Sequence, residues 1–114
     1  MNTLERRLPF HRLTAFSLAK ELLAAVLAAE IRDSELRDQA VRAAKSAALN
    51  VAEGACRAAP KDKARVFAIA RGEAGEAAAA VELASLLGAT SPQADQRVYA
   101  LADRLYAILT GLCR

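Results

Sequence analysis

Three short interruptions constrain this 114-residue chain more than anything else in it. They are Asp33-Ser34, Ala59-Pro60 and the stretch from Gly88 to Ser91-Pro92, and between them lie long runs patterned for helix. Each interruption has a physical meaning. Proline lacks an amide hydrogen and has a fixed φ, so it is tolerated in a first helical turn. Aspartate and serine accept hydrogen bonds from the free amides of that turn. Glycine reaches the left-handed conformation that ends a helix. The spacing therefore predicts helix one from His11–Thr14 to about Arg32, and helix two from Ser34 to Ala58. Helix three runs from Pro60–Lys61 to Leu87, with Gly88 as its stop. Helix four starts at Pro92, capped by Ser91, and residues 1–10, with Arg6, Arg7 and Pro9, read as an irregular arm. Turns this short make sequential helices antiparallel. The predicted fold is all-α: one up-down-up-down four-helix-bundle domain spanning residues 1–114.

The apolar residues supply the faces. Leu13, Phe16, Leu23, Val26, Leu27 and Ile31 recur at helical spacing in helix one, as do Val98, Leu101, Leu105, Ile108 and Leu112 in helix four. Helices two and three are filled mainly by alanine, of which the chain has 29. Alanine is the best helix former, because it loses no side-chain entropy, but it buries little area. An alanine-rich helix must pack very closely or share its surface with another subunit.

Several function classes find no support. The net charge of +3 permits nucleic-acid binding without demanding it. The apolar stretch Leu22–Ala29 is too short to span a membrane, and Lys20, Glu21 and Glu30 flank it as in an amphipathic helix. Cys56 and Cys113 have no metal or redox spacing and read as reduced thiols of a cytoplasmic protein. His11 has no ligand neighbours at metal spacing. The sequence has no nucleophile-elbow serine motif, no glycine-rich phosphate loop and no paired His/Glu helix motif. Neither catalysis nor a cofactor is expected.

The chemistry lies in polar residues. Gln39, Arg42, Ser46, Asn50, Glu53 and Arg57 fall three or four residues apart and share one face of helix two. That face is either an ordinary solvated one or a contact surface. Ser46 and Asn50 favour the second reading, since both are poor formers of a helix interior. Helix three adds Arg65, Arg71, Gly72, Gly75 and Glu76, and glycines that cost roughly 1 kcal/mol each mid-helix suggest close backbone approach. Glu53 or Glu76 is expected to pair with Arg71, within or between subunits. Separately, Arg57, Lys61, Lys63 and Arg65 crowd the turn between helices two and three, diluted by Asp62. This is either a nucleic-acid patch multiplied by symmetry or a solvated turn; few aromatics are present for base stacking.

The same residues carry a resemblance. Leu36-Arg37-Asp38-Gln39, Arg42-Ala43, Ser46, Asn50-Val51-Ala52-Glu53-Gly54 and Arg57 form one motif. Phe67, Ile69-Ala70-Arg71-Gly72, Glu76, Leu83-Ala84 and Gly88 form a second, with Leu13, Ala15-Phe16 and Ala19 ahead of them. Together they resemble the four-helix-bundle proteins encoded in intervening sequences of bacterial large-subunit ribosomal RNA genes. The chain departs from that pattern at Glu73, where a serine is usual, and at Gly75. The resemblance implies a homopentameric ring without catalytic activity. It also implies kinship with the accessory factor of diversity-generating retroelements, which works with a reverse transcriptase and nucleic acid. Arg42, Asn50, Glu53, Arg57, Arg71 and Glu76 match its motif positions. The expected function is a non-enzymatic homo-oligomeric scaffold or interaction module that binds RNA, DNA or a nucleic-acid-processing partner. The alternative is a purely structural, protein-binding ring.

Overall fold

The computed structural model describes residues 5–114 and contains four long helices. These are α1 (Thr14–Ala28), α2 (Ser34–Cys56), α3 (Pro60–Leu86) and α4 (Pro92–Leu112), preceded by a 3-10 turn at Pro9–Arg12. The punctuation acts as its chemistry requires. Asp33 Oδ1 accepts from the Leu36 amide at 2.9 Å, and Ser91 Oγ accepts from the Ala94 amide at 3.0 Å. Gly88 takes φ 73°, so the chain reverses after α3.

Helix one ends four residues before the expected Arg32. Glu30 turns into the left-handed region, φ 46°, and the helix cannot continue through it. Ile31 is buried all the same, delivered by the loop rather than by a helical face. The apolar face of α1 also differs from the expected one. Leu18 and Leu22 are fully buried, while Leu27 is exposed.

Each helix packs on the next, α4 closes on α1, and the diagonal pair α1 and α3 barely touch. Arg42 on α2 reaches Glu76 while Gly54 packs on Phe67, so these two helices run antiparallel. Two loops meet at one end of the bundle. The Arg32 amide donates to the Ala89 carbonyl at 2.8 Å, and Thr90 Oγ1 donates to the Ala29 carbonyl at 2.6 Å. These bonds satisfy backbone groups that the turns expose.

The core has two textures. Between α1 and α4 large side chains dominate, Leu18, Leu22, Val26, Val98, Leu101, Leu105 and Leu109, with Ala15, Ala19, Ala25 and Ala102 among them. Between α2 and α3 it consists mostly of alanine: Ala40, Ala43, Ala44 and Ala47 against Ala70, Ala74, Ala77 and Ala84. At the far end of that seam the Phe67 ring occupies the space a side chain at residue 54 would need. A Cβ on Gly54 would lie 2.8 Å from Phe67 Cε1.

Candidate functional site

The polar face of α2 lies along the edge where α2 meets α3. Ala40, Ala43, Ala44 and Ala47 turn inward and are buried, while Gln39, Arg42 and Glu53 are exposed and Ser46 and Asn50 half-buried. Arg42 is its centre. Nη2 donates to Glu76 Oε2 at 2.7 Å, Nη1 to Glu73 Oε2 at 3.2 Å, and Nε and Nη2 both to Gln39 Oε1. The hydrogen bond to Glu76, then its charge, raises the Arg42 pKa, so the guanidinium stays charged at any working pH. The two carboxylates of α3 hold it in register with α2, while Gln39, on α2 itself, orients the guanidinium. Glu73, the departure from the family pattern, is thus part of this cluster.

Ser46 and Asn50 have a local explanation. Asn50 Nδ2 donates to the Ser46 carbonyl at 2.9 Å and to Ser46 Oγ at 3.1 Å. The side chain bonds back to the preceding turn, as such residues do mid-helix.

Arg71 pairs with neither Glu53 nor Glu76 in the chain, which corrects the intrachain form of that expectation. It faces α4, on the other side of α3: Nη1 donates to Thr110 Oγ1 at 3.3 Å, and the guanidinium lies 5.4 Å from the Tyr106 ring centre. Glu76 is taken by Arg42, and Glu53 by Arg57 one turn along α2. Five residues separate Arg71 from Glu76, so they point to different neighbours of the same helix.

The basic turn is largely neutralised from within. Arg57 bonds to Glu53 and lies 3.3 Å from Asp62; Arg65 donates to Asp62 Oδ1 at 2.9 Å. The Glu53 hydrogen bond and then the Asp62 charge raise the Arg57 pKa. Asp62 is held below the ordinary carboxylate range, first by the Arg65 hydrogen bond and then by the Arg57 charge. Lys63 Nζ donates to the carbonyls of Ala55, at 2.8 Å, and Gly54, at 3.3 Å. It caps the last turn of α2, where free carbonyls and the helix dipole favour a cation. Of the four basic residues expected to form a patch, Lys61 is the one without an ion pair or hydrogen-bonded side chain among the described residues.

The glycines divide. Gly54 is required by Phe67, whereas a Cβ on Gly72 or Gly75 meets nothing within 4 Å. Close approach at those two therefore has no source within the chain. Sequence reasoning also missed two exposed apolar groups: Leu83, Leu86 and Leu87 at the end of α3, lining a trough with Leu36, and Tyr99 and Tyr106 of α4, lining another with α3. His11 sits against Phe10 and Phe16, with ring centres 4.3 and 5.8 Å away. Both cysteines are free thiols.

Residues 12–111 match the sequence pattern of the 23S rRNA-intervening sequence protein family. The chain belongs to that family. The match takes in all four helices and both polar motifs, and its limits fall at the 3-10 turn and the end of α4. No curated protein sequence matches the chain. The family pattern acquires a physical meaning in this structure. Gly54 and Phe67 close the far end of the α2–α3 seam, and Arg42 with Glu76 fixes its register. Among the described residues no helix is long and apolar enough to cross a membrane.

Proposed function

We propose that this chain is a non-enzymatic, cytoplasmic scaffold that assembles with copies of itself and acts through protein contacts. The observation that carries this reading is the exposed apolar group at the C-terminal end of α3, Leu83, Leu86 and Leu87, which lines one trough with Leu36 at the start of α2. Leu86 is 81% exposed, Leu87 65% and Leu83 49%. A cluster of exposed leucines on a small domain marks an interaction surface. The alanine seam adds support, because a core of small side chains leaves the larger ones to work outside. The five-copy ring is what the family likeness implies.

Light scattering tests the assembly. A multiple of the 12.1 kDa chain mass is expected at micromolar concentration; a mass of one chain throughout a dilution series would sink the proposal.

A second reading, binding to nucleic acid, is favoured by the net charge of +3 and by exposed cations such as Lys61, Arg97 and Arg104. The internal pairing of Arg57, Arg65 and Lys63 weakens it at the α2–α3 turn. Gel shifts against single strands, duplexes and structured RNA decide between the readings. Phosphate binding weakens steeply as salt rises, and no shift at low salt would leave protein contacts alone.

A further inference from the structure

Gly75 has no reason inside the chain. Alanine is the better helix former, the chain uses it throughout α3, and a Cβ at this position meets only open space. That space is a trough of about 300 Å³ between α3 and α4. Gly75, Ala78 and Ala102, the less exposed of its lining residues, form its floor, and Ala79, Glu82, Tyr99, Asp103 and Tyr106 line the rest. The tyrosines are 56% and 46% exposed. Neither carboxylate has an ion-pair partner among the described residues, whereas Glu53, Asp62, Glu73 and Glu76 at the α2–α3 edge are all paired.

Such a trough selects its occupant by chemistry. Tyrosine faces attract a guanidinium or ammonium group. Carboxylates bind a guanidinium through paired hydrogen bonds. A floor of glycine and alanine accepts an aliphatic side chain beside the cation. The chain already places one guanidinium, that of Arg71, near the Tyr106 ring.

One segment of this chain offers both chemistries. Arg6, Arg7 and Leu8 follow one another in the N-terminal arm, and all three are exposed. The ion pair of Arg7 is with Glu5 of the same arm. The arm does not lead to its own trough, because the 3-10 turn behind it packs on α2 and α1. That edge of the bundle lies opposite the α3–α4 edge. We infer that the trough between α3 and α4 receives the Arg6-Arg7-Leu8 arm of a second copy, with the guanidinium groups against Glu82, Asp103 and the tyrosines and Leu8 over Gly75. The contact joins two different surfaces, so it is head-to-tail and can repeat around a closed ring. It rests on the self-assembly proposed above and adds a contact to it.

Charge reversal in the full chain tests it. Arg6→Glu with Arg7→Glu, and separately Glu82→Lys with Asp103→Lys, should each raise the concentration of half-dissociation at least ~10-fold, the loss of about 1.4 kcal/mol. Combining all four changes should restore assembly towards the wild-type midpoint. All four side chains are exposed, so each variant should keep its helical circular dichroism and melting temperature. If the wild type assembles and either reversal leaves the midpoint in place, the arm-in-trough contact is overturned while self-assembly stands. The same holds if the four-fold variant stays dissociated. A wild type that remains a single chain overturns both.

Discussion

The two halves of the bundle solve the same packing problem in opposite ways. Between α1 and α4, leucines and valines fill the space, and stability comes from the area each buries. Between α2 and α3, alanines let two helices of 23 and 27 residues approach closely, and many small contacts replace a few large ones. The leucine half is exposed to the loss of volume. The alanine half is exposed to its gain. Within the alanine half the glycines differ among themselves: Gly54 is filled by its neighbour's ring, while Gly72 and Gly75 face open space.

Substitutions in each half probe that contrast. Leu105 is fully buried in the leucine half. Leu105→Ala should lower unfolding stability by about 2–5 kcal/mol, because the cavity it leaves collapses only in part. Denaturant titration reads this, and a loss below about 1 kcal/mol would mean the leucine half does not carry the fold.

Gly54→Ala adds a single methyl to the other half. Helix propensity favours the change, but the Phe67 ring is buried and cannot swing clear. A net loss of about 1–2 kcal/mol is expected, and Phe67→Leu in the same chain should recover much of it. Additive effects of the two changes would disprove the contact.

Gly72→Ala should do the reverse and raise stability by about 0.5–1 kcal/mol, measured in the same titration. A loss there would reveal a neighbour that the isolated chain does not contain.

The smallest effect concerns pH. Asp62 has its carboxyl held below the ordinary range, so its contribution is present above the unfolded-state value, near pH 4. It is lost as pH falls through the lower folded-state value. Melting curves of Asp62→Asn should therefore fall less steeply than wild type below about pH 4. Parallel curves would show that the α2–α3 turn draws nothing from this cluster.

Much of the fold was legible in the chain. Asp33, Ser91, Pro60, Pro92 and Gly88 act within one turn of their own positions, so sequence-local chemistry predicts them. The early end of α1 was not legible, since Glu30 adopts its left-handed φ where two loops lock together. The candidate site divides in the same way. Ser46 and Asn50 bond within one turn, and Arg57 and Arg65 find acids three to five residues away. The partner of Arg71 was misread because α3 has two neighbours, and spacing along one helix does not say which neighbour a side chain meets.

By itself the sequence determined four helices, their turns and therefore their antiparallel order, because caps, prolines and apolar spacing act over one or two turns. Only the tertiary structure decided which glycine is filled and which is open, and where the cations go. Lys63 became a helix cap rather than a patch, and Gly75 became the floor of a trough rather than a close packing point. Both outcomes depend on which surfaces distant segments bring together, and helical periodicity carries no information about that.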